Sequence, residues 1–453
     1  MEIGIIGAGA AGVSLLDALS LTEPPPSGVT VFEGSSCLWR GRAYQPDVDA
    51  VRVNAPPALM SIRHDDQLHY TRWLAEHDGH LDTLLGVPIV PRAVYGEYLE
   101  ATAMAAISRL RHRGCHVSVI NDWVTGYSPL LTRTGGTHTL DHAVLCVGGG
   151  RPLDHYGLEG SPGFVLEPYP LARTLYGVPD GSHVVVIGSG LTAVDIVAAL
   201  AANGHSGPIT LLSRQGVLPY VQQTPVKLEF RHLTRENLPD TFAGLVAAMR
   251  AELGEDLAPL AAEITGAEDA VERLRRQLSE VDSPHPGRRM LSAAVHMFGP
   301  VVWPRLPAGE RTVLRTQHFR TITSLASPMV PGNAEILLRL FDSGQLRLMS
   351  GVPKIEPAMR GFRVRGAREL SADVVLNAVN PPAHAIPART EPLVSSLLDA
   401  GVITLPATGG VSLRSGGVHT LGGITASTSF ITPSVPTLAA GASAVAAEIT
   451  SGR

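Results

Sequence analysis

Gly7, Gly9 and Gly12 have the G-x-G-x-x-G spacing with which a backbone can hold a pyrophosphate. Glycine is needed at each position for a different reason. Gly7 makes the tight turn, Gly9 allows close approach to the ligand, and Gly12 lets the following helix pack on its strand. The N–H groups and positive dipole end of that helix would face the phosphates. Glu33 follows Gly12 by 21 residues and ends an apolar run, where a carboxylate can accept from a ribose 2′-hydroxyl. An acid at this place favours FAD or NAD over NADP. A second turn carries Gly188 and Gly190, with Ala193 in the third position. Thr192 joins the candidate cofactor contacts there. The next apolar run ends in Ser213-Arg214, and an arginine fork at that place suits a 2′-phosphate. One turn paired with Glu33 and another paired with Arg214 point to FAD and NADPH in one chain.

The elements around these residues must be strand, turn and helix. Residues 2–6 form a short apolar run suited to a buried parallel strand. A helix over 13–21 and a strand over 29–33 complete the first βαβ unit. Residues 34–61 are rich in Gly and Pro and predict irregular backbone that can wrap the far end of a nucleotide, with Arg40, Tyr44 and Asn54 as candidate contacts. Asn54 is also the candidate catalytic residue, although an Asn before Ala-Pro-Pro equally suits a turn. Helices are expected over 66–77 and 95–110, and strands over 115–120 and 137–140. Residues 143–150 run from an apolar strand into three glycines. A Pro- and Gly-rich linker over 151–181 leads to the second unit. From 234 to 345 charged and apolar residues recur at helical spacing. The run Glu272–Arg276 reads there as a solvated helix face, and Trp303 and Phe319 read as core. In the tail, Gly422 and Gly423 end a strand. Ser434 and Val435 open a closing helix whose N-terminus could stabilise charge on a reduced flavin.

The expected fold class is α/β, with two Rossmann-like dinucleotide-binding domains and a helical insertion. The expected boundaries are 1–165 with 382–453 for the FAD-binding domain, 166–233 with 346–381 for the NADPH-binding domain, and 234–345 for the insertion.

Composition narrows the function classes. A length of 453 residues with 44% apolar content supports several packed domains, and a net charge of −5 gives no reason to expect a nucleic-acid partner. The two lysines, Lys227 and Lys354, leave the positive charge almost entirely to arginine. Cys37, Cys115 and Cys146 are far apart and form no C-x-x-C, which argues against a disulfide framework and a dithiol reductase. No apolar run is long enough for a membrane, and the first strand begins at residue 2, so a cytoplasmic location is expected. No metal cluster or Ser-His-Asp set stands out, and the 17 histidines are scattered. A homo-oligomer is compatible with the sequence.

Taken together, the chain resembles the two-dinucleotide-binding-domain flavoproteins, which include N-hydroxylating and Baeyer–Villiger monooxygenases. It is most similar to a bacterial branch of FAD/NAD(P)-binding proteins. The resemblance is carried by Gly41-Arg-Ala-Tyr44, Val53–Ser61, Val90–Leu99, Gly188–Asp195 and the Leu421-Gly-Gly423…Ser434-Val-Pro436 tail. It implies that residues 44–61 lie near the flavin ring, with Asn54 as a flavin or substrate contact. It further implies NADPH-dependent oxygenation, by O₂ and through a flavin C4a-(hydro)peroxide, of a nitrogen or sulfur atom on a small-molecule substrate, in specialised metabolism. No F-x-G-x-x-x-H-x-x-x-W run follows the first domain, a departure from the Baeyer–Villiger pattern. The alternatives are an FAD/NADPH oxidase or dehydrogenase without oxygen insertion, and a non-catalytic binding protein on the same fold.

Overall fold

A computed structural model describes residues 1–77, 79–254, 268–366, 368–382, 384–406, 409–414, 416–425, 430 and 434–451. Two parallel sheets of five strands form its frame. In chain order their strands are β1 (Glu2–Ile6), β2 (Gly28–Phe32), β3 (His116–Ile120), β4 (His142–Leu145), β5 (Phe164–Val165), β6 (Val184–Ile187), β7 (Ile209–Ser213), β8 (Leu346–Ser350), β9 (Val374–Asn377) and β10 (Val418–Thr420). The helices that matter for the site are α1 (Ala10–Ser20), α2 (Arg92–His112), α3 (Leu191–Ala202), α4 (Phe242–Leu253), α5 (Ala270–Ser279), α6 (Gly287–Val302), α7 (Phe319–Ala326), α8 (Pro331–Asp342) and α9 (Val435–Ser451).

The first sheet has the order β10-β4-β1-β2-β3. Ile3 of β1 lies between Val29 of β2 and His142 of β4, so the chain's first strand is a central one. Such a strand is covered on both faces, which explains why β1 is buried and uncharged from Ile3 to Ile6, and β2 apolar but for Thr30, rather than alternating. Helix α1 packs against both α2 and α9, so the N- and C-terminal parts of the chain share one core. The long apolar face of α2 contributes Tyr95, Tyr98, Leu99, Ala103, Ala106 and Leu110 to it.

The second sheet has the order β5-β9-β6-β7-β8. Strand β5 arises from the segment that reads as a linker, and two residues are too few to show a period. Parallel neighbours β7 and β8 need a crossover, and α8 supplies it immediately before β8. Pro331 opens α8 at a position where a missing N–H costs nothing, and the helix packs on α3 and β8.

Helices α4, α6 and α7 gather around Leu233, Phe298, Val302, Trp303, Leu306 and Leu314, whereas α5 packs with α8 in the main core. Trp303 is buried, as its core assignment requires. Phe319 is not core: it is 42% exposed, with its ring 5.4 Å from Phe430. The charged run on α5 is only partly a solvated face. Arg275 pairs with Asp342 at 2.7 Å near the surface, but Arg273 is buried, donates to the Leu218 carbonyl at 2.9 Å, and lies over the Tyr220 ring.

Candidate functional site

Both glycine turns stand at the carboxyl ends of the central strands β1 and β6, where open parallel sheets bind ligands. At the first turn Gly7 has φ +101°, and a Cβ there would come within 2.5 Å of the Cys146 carbonyl oxygen. A Cβ on Gly12 would meet the Gly7 carbonyl at 2.1 Å, so α1 can close on β1 only without a side chain. Gly9 differs. Its Cβ would meet nothing nearer than the Gly41 Cα at 3.4 Å, so the fold itself does not demand glycine there. No side chain caps α1 at Gly9. That uncapped end is a cradle suited to a pyrophosphate.

Glu33 sits beside this cradle. Its carboxylate accepts the Ala8 and Ser35 amides, both at 2.9 Å, which ties the end of β2 to the glycine turn. Gly41 comes over Gly9 through a loop in which Trp39 is buried in a left-handed conformation (φ 66°). Gly422 lies over Ala11, and a Cβ on Gly423 would be 3.0 Å from the Gly148 backbone. The tail therefore crosses the first turn of α1 beside the glycine run after β4. Ser434 and Val435 stand at the start of α9, where the Ser434 hydroxyl is 3.0 Å from that of Thr437. Thr432 and Pro433, just before this helix, lie outside the described residues.

Arg40 is placed otherwise than the sequence reading expects. Its guanidinium donates to Glu100 at 2.9 and 3.2 Å and to the Ala93 carbonyl at 3.2 Å, so it fastens the 34–44 loop to α2. Tyr44 packs its ring 4.6 Å from Tyr95, within a cluster that includes Tyr70 and Tyr98, and burial raises its phenol pKa.

At the second turn Gly188 has φ +113°, and Gly190 precedes α3 without a side-chain cap. The Ser189 hydroxyl lies 2.8 Å from that of Ser213 and donates to the Val217 carbonyl at 2.6 Å. Buried Ser213 thus braces the turn, and Arg214 is the exposed residue at this strand end. Thr192 reaches toward Asn380 at 3.5 Å. The two turns are alike in geometry, and each fits the phosphates of a dinucleotide.

The two sheets meet at an ion pair that the sequence reading does not single out. Arg92, the first residue of α2, donates to Asp195 of α3 at 2.6 Å and to the Arg52 carbonyl at 3.1 Å. The Tyr169 hydroxyl also donates to Asp195, and the Arg92 guanidinium lies over the Tyr169 ring. Burial pushes the Asp195 carboxyl upward, against the opposing pull of Arg92. An acid inside the apolar run of α3 is the signal that could have found it, because a buried carboxylate needs a partner. Asn54 lines a narrow cleft beside this pair, with Arg52, Arg92, Leu191, Met329, Val330 and Asn333.

Two parallel five-stranded sheets thus each carry a glycine turn at the carboxyl end of a central strand. The sequence model of the FAD-NAD(P)-binding family matches residues 4–150, the part that holds the first seat. No curated protein sequence matches the chain. Among solved structures, the L-lysine 6-monooxygenase of Pseudomonas syringae is similar over 99% of both chains, with a TM-score of 0.58 at 16% identity. The ornithine hydroxylase of Pseudomonas aeruginosa is similar over 98% of both, with a TM-score of 0.56 at 13% identity. The cadaverine monooxygenase of the desferrioxamine pathway in Erwinia amylovora covers 100% of this chain and 94% of its own, with a TM-score of 0.56 at 13% identity. These likenesses concern the fold.

Proposed function

We propose that the protein is an NADPH-dependent FAD monooxygenase that oxygenates a nitrogen or sulfur atom of a small-molecule substrate. The observation that carries the reading is the pairing of two uncapped glycine turns with opposite recognition residues. Glu33 stands beside the first turn and Arg214 beside the second. The full-length likeness to lysine, ornithine and cadaverine monooxygenases supports nitrogen as the atom oxidised. The FAD-binding domain would comprise 1–163 and 382–453, and the NADPH-binding domain 164–233 and 346–381, with the expected boundary at 165 moved because β5 pairs with β9 of the second sheet. Because α8 is the crossover into β8, we extend the second domain back over Pro331–Asp342.

When bound, FAD would accept a hydride from NADPH and activate O₂, which leaves the protein to bind, orient and keep out water. Gly7, Gly9 and Gly12 would admit the FAD pyrophosphate, and Glu33 would receive a ribose hydroxyl. Gly422, Gly423, Ser434 and Val435 would close over the ring end. Gly188, Gly190 and Thr192 would seat NADPH, and Arg214 would hold its 2′-phosphate. Asn54, which lines the cleft beside the Arg92–Asp195 pair, would donate to flavin or substrate. The reading is tested by anaerobic mixing of the flavin-loaded protein with NADPH, followed by a screen of diamines, amino acids and thioethers for products containing ¹⁸O from ¹⁸O₂. NADPH oxidation with label in product supports it. NADPH oxidation without label in any product favours an oxidase or dehydrogenase, and absence of flavin reduction rejects both.

A further inference from the structure

At the second glycine turn the guanidinium of Arg320 stands with no ion-pair partner among the described residues. Arg320 lies in the first turn of α7, 131 residues beyond the glycine turn, and its guanidinium folds back over it. It donates to the carbonyl of Ser189 at 2.9 Å and to that of Val217 at 3.2 Å. A Cβ on Gly190 would lie 3.3 Å from its nearer terminal nitrogen, which puts the charge against the uncapped start of α3. No carboxylate among the described residues forms an ion pair with it. Its strongest electrostatic neighbours, Arg273 and Arg214, are also positive, and burial together with these charges brings its pKa down to about 10. At neutral pH it remains a cation.

A half-buried cation beside a positive helix end and two further arginines is an unfavourable arrangement for the protein alone. An anion at that place would relieve it. The bonds to two carbonyls hold the guanidinium in one orientation, and its planar fork suits phosphate oxygens better than an ammonium does. We infer that Arg320 is a pyrophosphate-binding residue of the second nucleotide seat, supplied by the helical segment. The inference rests on the NADPH reading of that seat and adds a residue to it. It divides the labour between two arginines: Arg214 selects the 2′-phosphate, and Arg320 grips the pyrophosphate shared by NADP⁺ and NAD⁺. It also gives the helical segment a direct stake in whether the nucleotide is present.

The test is calorimetric titration of the flavin-loaded full chain with NADP⁺ and with NAD⁺, for wild type and for Arg320→Ala, Arg320→Gln, Arg320→Lys and Arg214→Ala. Loss of a charged hydrogen bond to phosphate predicts a fall of roughly tenfold to a hundredfold in affinity for Arg320→Ala. The fall should be equal for the two nucleotides, and Arg320→Gln should match it, because glutamine retains donors for the two carbonyls but no charge. Arg320→Lys should recover most of the affinity, while Arg214→Ala should weaken NADP⁺ alone. Wild-type affinity in Arg320→Gln, or equal loss in Arg320→Lys, would make Arg320 a brace for the turn and overturn the assignment. Failure of the wild type to bind either nucleotide would instead reject the NADPH seat itself.

Discussion

Arg92 and Asp195 form a 2.6 Å ion pair that joins the first residue of α2 to the first turns of α3, and so links the two sheets through a buried contact. Each partner has a second hold, Arg92 on the Arg52 carbonyl and Asp195 on the Tyr169 hydroxyl. The pair therefore ties α2 to α3, beside the bonds that the Leu171 and Ala172 amides donate to the Asp47 carboxylate. Removing one partner strands a buried charge. Arg92→Met or Asp195→Leu alone is expected to cost about 3–5 kcal/mol, whereas the two together should cost clearly less than the two single losses added. Urea unfolding of the four proteins checks this, and simple additivity would deny the coupling.

Gly9 and Gly12 should separate folding from binding. A Cβ on Gly12 drives into the Gly7 carbonyl, so Gly12→Ala is expected to destabilise by about 1–3 kcal/mol and to lose flavin with it. Gly9→Ala meets only ordinary contacts in the protein. It should unfold at nearly the wild-type temperature yet purify with little bound flavin. Thermal unfolding beside the flavin absorbance of each variant reads both quantities. Full flavin content in Gly9→Ala would move the pyrophosphate away from this turn.

Arg214 lies exposed at the end of β7 and has a narrower role. Arg214→Ala should raise the KM for NADPH roughly tenfold to a hundredfold while that for NADH stays within a factor of about two, the loss of one charged contact to phosphate. Steady-state oxidation of the two nucleotides checks it. An equal effect on both would remove the 2′-phosphate from this arginine.

Acid should destabilise the fold before carboxylates titrate. Burial lowers the pKa of His69, His183 and His419 from 6.5, so the folded protein disfavours the charged form of each. The unfolded chain then binds more protons as pH falls below 6.5, and stability declines with it. The stability present above that pH is lost on passing down through the lowered values. Melting temperatures from pH 7.5 to 5.5 should fall, and the fall should be shallower in His419→Gln, which removes the imidazole facing His142 and Glu448.

The parts of the site made by neighbouring residues are legible in the sequence. Each glycine turn, its strand and its helix lie close together in the chain, and the period of apolar side chains marks both. Arg320 is not legible, because the contact that defines it spans 131 residues and its own helix reads as one of several in a charged segment. Arg40 reads as a ligand contact because its partner Glu100 sits 60 residues away on another element. Phe319 reads as core because aromatic residues at helical spacing usually pack, and the structure leaves it at an edge. Strand β5 is hidden by its length, and α8 by the helical segment into which its pattern merges.

Whether one chain holds FAD and NADPH in order to activate oxygen is tested most directly by reducing the purified flavoprotein with NADPH without air and then mixing it rapidly with oxygenated buffer. NADPH is expected to bleach the flavin band, and to do so faster than NADH. On mixing with oxygen, a transient absorbance unlike either oxidised or reduced flavin should appear before the oxidised band returns. Direct return of the oxidised band in one phase, with and without candidate amines, would contradict oxygenation. A flavin that NADPH does not bleach would contradict the second seat as well.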